Sequence, residues 1–299
     1  MPREIIDAHM HLMTAGMFRS VRARAAGSRQ VARDRARVRG QTFEQRIAQM
    51  ETLSMADHVK MWLEGFDAAG VRAGVFIGMG DAYDDLAEFV KARPDRFRGV
   101  GSIPDPTHPD AARTVRRFPS LGISAVKLYA PAYRVHLNDR VVYPIYEAAA
   151  EGNLPIIIHF GITVGTFNDL MFANPLALSA PGRDFPEVTF IIAHFGAGFL
   201  REAMFLAYHT ENICVDTSGT NNWRLFTPGE PSLEQVFRDA LRTFGAGRIL
   251  FGTDSTFFSG YRKMIVDEQV GVLDRLDLSN EDRGLILAGN ARRIFGVKD

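Results

Sequence analysis

The run Ile5-Ile6-Asp7-Ala8-His9-Met10-His11 sets the pattern for the whole chain: a short apolar segment that closes in side chains able to bind a metal. Side chains two apart on a strand project from the same face, so the two imidazoles of His9 and His11 can share one ion. Three later apolar runs also close in a ligand-type residue. They are Ile156-Ile157-Ile158-His159, Ile191-Ile192-Ala193-His194 and Ile249-Leu250-Phe251-Gly252-Thr253-Asp254. One such histidine alone reads equally as a core residue bonded to a backbone carbonyl. Four runs of the same form point to a shared site.

Eight runs of this kind read as strands, at 4–9, 71–77, 97–102, 123–129, 155–159, 189–194, 213–217 and 249–253. Amphipathic helical segments alternate with them, including 84–93, 110–118, 139–151, 199–209 and 232–244, several opened by Asp, Ser or Pro as helix starts require. Strand and helix in alternation imply parallel pairing, and eight units in about 250 residues match the α/β class and the (β/α)8 TIM barrel. A doubly wound open sheet shows the same alternation. No Gly-x-Gly-x-x-Gly follows the first strand, which argues against a dinucleotide fold. A barrel places its chemistry at the C-terminal strand ends, where closure sets strands 1 and 8 side by side. His9, His11, Lys127, His159, His194 and Asp254 all fall at such ends, and an open sheet offers no comparable convergence.

The 299 residues are 46% hydrophobic and 23% charged, enough for one large core, and 1–299 reads as a single barrel domain. With 35 basic against 35 acidic residues, nothing global attracts nucleic acid or an anionic membrane, and a small-molecule substrate is the expected partner. A second copy of the chain, in a homo-oligomer, is a further expected partner. The single cysteine, Cys214, sits in an apolar run and reads as a buried small hydrophobe, which excludes an intramolecular disulfide. No leader segment or unbroken membrane span is evident, so the expected location is cytoplasmic. Residues 15–58 interrupt the alternation with Arg19, Arg22, Arg24, Arg29, Arg33, Arg35, Arg37, Arg39 and Arg46. This segment reads as an arginine-rich helical insertion after strand 1, serving either as a lid or as a solvated basic face.

With these residues placed, the chain resembles the amidohydrolase superfamily, in the amidohydrolase 2 branch of aminocarboxymuconate semialdehyde decarboxylase-like metal-dependent enzymes. Carrying the likeness are Ile6-Asp7-Ala8-His9-Met10-His11, Ala125-Val126-Lys127-Leu128-Tyr129, Tyr143-Pro144-Ile145-Tyr146-Glu147-Ala148-Ala149 and Leu154-Pro155-Ile156-Ile157-Ile158-His159. Ile192-Ala193-His194-Phe195-Gly196, Leu250-Phe251-Gly252-Thr253-Asp254 and Gly289-Asn290-Ala291-Arg292-Arg293-Ile294-Phe295 complete it. The resemblance implies that His9, His11, His159 and Asp254 hold one divalent metal, zinc by preference, with manganese, iron or cobalt as alternatives. Zinc lowers the pKa of a bound water to about 7. Asp254 would then accept the water's proton. As a residue read alone, Asp254 also suits the cap of a following helix.

The family implies for His194 the role of base or donor to a developing oxyanion, and in two-metal members that of a ligand. Lys127 stands where those members carry a carbamylated lysine that bridges two ions. Unmodified, it would pair with a substrate carboxylate or with a barrel-end acid. The expected activity is hydrolysis of a small cyclic or amide/ester-like substrate by metal-activated water. Its rivals are non-oxidative decarboxylation of a small carboxylated, aromatic substrate, and a non-catalytic metal-binding protein. His58, His108, His136 and His209 read as surface or capping positions. The Gly196-Ala197-Gly198 turn offers either backbone amides for an anion or close packing, and Trp223 and Arg224 read as lining a pocket.

Overall fold

A computed structural model describes residues 4–25, 42–163 and 168–298. Nine parallel strands run in the order β8-β7-β6-β5-β4-β3-β2-β1-β9. They are β1 (Ile6–Leu12), β2 (Ala73–Gly78), β3 (Phe97–Ser102), β4 (Ile123–Tyr129), β5 (Ile156–His159), β6 (Phe190–Ile192), β7 (Ile213–Asp216), β8 (Ile249–Leu250) and β9 (Ser255–Thr256). Helices fill the connections, among them Met55–Ala69, Tyr83–Ala92, Ala111–Arg117, Tyr143–Glu151, Leu200–His209 and Leu233–Phe244. The architecture is the TIM barrel that the alternation predicts.

The expected eighth strand is split in two. β8 pairs with β7, whereas β9 pairs with β1, through Met10 with Ser255 and His11 with Thr256. Residues 251–254 lie between these pieces and bond to the strand 1 side: the Ala8 N–H donates to the Phe251 carbonyl at 2.8 Å and the Asp254 N–H to the His9 carbonyl at 2.9 Å. The sheet therefore closes along an irregular seam. Groups off the sheet satisfy the backbone that the seam leaves unpaired, as buried polar groups require. The Phe251 N–H donates to the Ile286 carbonyl in the single π-helical turn Leu285–Gly289. The buried Asn290 amide donates to the Ala246 and Ile249 carbonyls at 2.7 and 2.8 Å.

Inside the barrel pack Ile6, Ala8, Val75, Ile77, Val100, Ala125, Ile157, Ile191, Cys214 and Leu250, each worth ~1–3 kcal/mol of burial according to size. The outer layer is aromatic, with Trp62, Phe66, Phe76, Phe89 and Phe97 in contact and the rings of Phe89 and Phe97 stacked at 4.5 Å. Strand 1 departs from simple alternation. Ile6 and Ala8 belong to the interior, but Met10 and Leu12 belong to the outer cluster, because the register slips between Asp7 and Met10. That bulge adds one residue to β1, reverses its facing, and turns His9 and His11 inward.

Within the expected insertion, Ala15–Ala25 and Phe43–Glu51 are helices, and residues 55–58 begin the regular helix Met55–Ala69, capped by Ser54 and Asp57. Residues 26–41, with Arg29, Arg33, Arg35, Arg37 and Arg39, lie outside the described residues. Arg19 pairs with Glu51 and Arg22 with Glu44, and Arg46 stacks over Phe258 at 4.6 Å. Phe18, Ile47 and Met50 form a small core of their own against Phe257 and Phe258.

Candidate metal centre

The imidazole of His9 is fully buried on β1, and its Nδ1 stands 2.7 Å from Asp216 Oδ2 at the end of β7. A carboxylate only accepts, so Nδ1 carries the proton and Nε2 presents a lone pair. That Nε2 is buried with no hydrogen-bond partner among the described residues. Burial holds the ring neutral, its pKa lowered to about 3 although Asp216 opposes the shift. A buried, oriented and otherwise unsatisfied lone pair is what a metal ligand requires.

His11 and Asp254 stand beside it, with His11 Nε2 at 3.1 Å from Asp254 Oδ1. Ligand atoms of His9, His11 and Asp254 lie within 4.8 Å of one another, a spacing that suits one shared ion. Burial would raise the Asp254 carboxyl, yet the hydrogen bond from His11 and the neighbouring histidines hold it well below the usual range. Asp254 has a left-handed backbone, φ 56°, a conformation costly for a residue with a Cβ. It caps no helix; Thr256 caps the short turn that follows.

His194 closes β6, also left-handed at φ 60°. Its Nδ1 lies 2.9 Å from the Ser218 carbonyl and 2.7 Å from Ser218 Oγ, so this nitrogen donates and Nε2 is left without a proton. Burial lowers its pKa. The close fit needs Gly219, at φ 65°, where a Cβ would come within 2.9 Å of His194 Nδ1. The His194 ring sits 4.8 Å from that of His9 and 5.0 Å from that of His159. His159 ends β5, stacked face to face on Tyr129 at 4.4 Å, with Nε2 at 3.3 Å from the Ile162 carbonyl. Burial drives its pKa well below the usual value. The expected ligand His159 thus stands beside His194, and its ring nitrogens do not fall within the group of His9, His11 and Asp254.

Lys127 is buried on β4 beside Ser102 and Ile157, and its Nζ has no hydrogen-bond partner among the described residues. Burial lowers its pKa to about 8 against the pull of Asp216 and Asp254. No barrel-end ion pair forms at Lys127 among the described residues. Sequence reasoning missed Asp216. Its carboxylate accepts from His9 Nδ1, from the His194 N–H at 3.0 Å, from the Ser218 N–H at 3.0 Å and from the Ser218 hydroxyl. Burial works against the anion, but these donors hold the pKa well below the usual range. Ligand atoms of His9, His194 and Asp216 also fall within 4.8 Å, but the proton-bearing Nδ1 of each ring is the nitrogen nearest Asp216. Asp216 orients the His9 ring directly and fixes His194 through its backbone N–H and through Ser218, so these donors take up its oxygens.

Residues 6–297 match the family model described as amidohydrolase. The chain belongs to that family. Among its relatives is the 2-keto-4-carboxy-3-hexenedioate hydratase of a Sphingobium species, 26% identical over 247 residues, covering 70% of this chain and 69% of that protein. Another is the gamma-resorcylate decarboxylase of a Polaromonas species, 25% identical over 269 residues, covering 72% and 74%. Among solved structures, 5-carboxyvanillate decarboxylase from Novosphingobium aromaticivorans, complexed with manganese, aligns over 99% of this chain and 96% of its own with a TM-score of 0.71 at 16% identity. A probable 2-pyrone-4,6-dicarboxylic acid hydrolase from Acinetobacter baumannii aligns over 98% and 99% with a TM-score of 0.65 at 15% identity. The relatives thus include a hydratase and a decarboxylase, and proteins named for decarboxylation and for hydrolysis share this barrel fold.

Other expected positions differ. His58 is buried, not a surface position, with its ring 5.6 Å from Phe257. It shares a helical stripe with Trp62 and Phe66, four and eight residues on. The Gly196-Ala197-Gly198 turn presents carbonyls to Gly161, where a Cβ would meet two of them at 2.3 Å, so this turn packs closely against the loop after β5. Trp223 is buried and lines an outer groove with Met204, Phe205 and Tyr208. No described helix is long and apolar enough to cross a membrane.

Proposed function

We propose that this chain is a metal-dependent hydrolase of a small, cyclic or amide/ester-like substrate that carries a carboxylate. The observation that carries the reading is His9 Nε2, buried and unsatisfied, with the His11 and Asp254 pair beside it. His9, His11 and Asp254 would hold one divalent ion, zinc by preference, with His159 as a further ligand once its ring leaves the Ile162 carbonyl. Such an ion supplies Lewis acidity for the substrate oxygen and acidifies a bound water. Asp254, kept anionic and a quarter exposed, accepts the proton of the attacking water. The new carbon–oxygen bond forms as the bond to the leaving oxygen or nitrogen breaks. His194 Nε2 faces the same centre as a proton carrier, its ring held by Ser218. Lys127 serves as the partner of a substrate carboxylate, since its ammonium has no other anion in contact. The substrates named for the relatives are all small carboxylic acids, which supports this class.

A second reading, non-oxidative decarboxylation of a carboxylated aromatic ring, is favoured by the gamma-resorcylate decarboxylase relative. It uses the same residues, with His194 delivering a proton to the carbon that loses CO₂. Assays of CO₂ release from carboxylated aromatics, run beside ring or bond opening of lactones and amides, separate the two. Hydrolysis without CO₂ release is expected. His194→Ala should keep its metal and lose on the order of 10²–10⁴-fold in kcat. CO₂ release that depends on His194, with no hydrolysis detected, would assign the chain to the decarboxylases.

A further inference from the structure

The carboxylate of Asp7 is buried in the outer layer between β1 and the seam that leads to β9. Four donors converge on it. Its Oδ1 accepts from the His9 N–H and the Thr253 N–H, each at 3.1 Å. Its Oδ2 accepts from the Thr253 hydroxyl at 2.6 Å and the Tyr261 hydroxyl at 3.0 Å. One of the backbone amides belongs to a proposed ligand, and the other belongs to the residue before a second one. The Thr253 hydroxyl also meets Ser255 Oγ at 2.6 Å, and Ser255 Oγ accepts from the Arg262 N–H at 2.9 Å. Asp254 is thereby held from both flanks, while its own N–H donates to the His9 carbonyl at 2.9 Å.

We infer that Asp7 is the positioning residue of the metal centre, the clasp that holds the His9 backbone and the left-handed Asp254 at ligating distance across the barrel seam. The inference rests on the metal-centre reading given above. The irregular strand explains why a clasp is needed there. Residues 251–254 have no continuous ladder to set their distance from β1, and a left-handed residue relaxes unless its neighbours hold it. A single carboxylate with four lone-pair directions can hold two chain segments at once, which a neutral side chain of the same size does less well.

The experiment measures zinc affinity by chelator competition, together with the visible spectrum of the cobalt-loaded protein, for the wild type, Asp7→Asn and Thr253→Val. Arg98→Ala serves as the control. Its guanidinium binds the Phe295 and Gly296 carbonyls at the opposite end of the barrel, so its loss destabilises without touching the clasp. Asp7→Asn should weaken zinc about 10–100-fold, the usual range for a group that orients a ligand, and Thr253→Val should weaken it less. Both should alter the cobalt spectrum, whereas Arg98→Ala should leave affinity and spectrum as in the wild type at a comparable loss of stability. Zinc affinity for Asp7→Asn within twofold of wild type would overturn the clasp while leaving the metal centre standing. Equal losses in Arg98→Ala would reduce it to general stability. A wild type that binds no zinc would instead overturn the metal-centre reading beneath it.

Discussion

Lys127 shows how much of the centre is held at a cost in folding energy. An ammonium buried without a partner favours its neutral form, so the folded protein binds this proton less tightly than the unfolded chain does. The folded pKa is about 8 against an ordinary value of 10.5. Below the folded value both states carry the proton, and the folded state bears the full penalty. Between the two values only the unfolded chain is protonated, so stability rises with pH. In metal-free protein, Lys127→Met should therefore be more stable than wild type at pH 7. The gap should narrow by about 3 kcal/mol as pH rises from 8 to 10.5. Urea unfolding across that range gives the gap directly. A gap that does not change with pH would mean that Lys127 is not buried as a charge.

The same residue scale shows what could be read without a structure. His9, His11, His194 and Asp254 were legible because each closes an apolar run, and a strand end in a barrel is a place where chemistry collects. Asp216 carries the same signal, closing Ile213-Cys214-Val215, but nothing in the sequence distinguishes a carboxylate that orients a ligand from one that fills a strand end. His58 is buried through its stripe with Trp62 and Phe66, a helical spacing visible in the sequence. His159 was legible as a strand-end residue, but no sequence pattern shows that its Nε2 meets the Ile162 carbonyl and its ring stacks on Tyr129.

At the scale of elements, the alternation of apolar runs and amphipathic helices locates β1 to β8 to within a few residues, because hydrophobic period is a local property. The irregularities of β1 and β8, and the separate strand β9, were not legible. Simple alternation puts Asp7 and His9 on one face; the register slip in β1 separates them, and slips depend on the partner strand. β8 breaks after Leu250 because its continuation bonds to Asp7, Thr217, Ile286 and β1, residues scattered over the whole chain. Asn290 anchors the start of that strand, and its motif near the C-terminus has no evident reason until the two carbonyls it binds are seen. Asn290→Ala removes the amide donor from the buried Ile249 carbonyl, while the Ala246 carbonyl keeps the Ile249 N–H, and should lower unfolding stability by about 1–3 kcal/mol. Native-state hydrogen exchange at Phe251 should accelerate with it, since that amide depends on the adjoining π-helical turn. Unchanged exchange there would separate the turn from the anchor.

At the scale of the molecule, the metal centre depends on closure. β1 opens the chain and residues 251–256 lie near its far end, and only a closed barrel sets His9 and His11 beside Asp254. The helices Ala15–Ala25 and Phe43–Glu51 add to this by packing on Phe257 and Phe258, directly after β9. The most direct test of the central claim is the metal content of purified, reconstituted protein measured by elemental analysis, for the wild type and for the His9→Ala/His11→Ala double variant. Wild type should hold about one equivalent of a divalent ion and the folded double variant almost none, since a single site loses two of its ligands. A double variant that keeps a full equivalent, or a wild type that takes up none, would contradict the account.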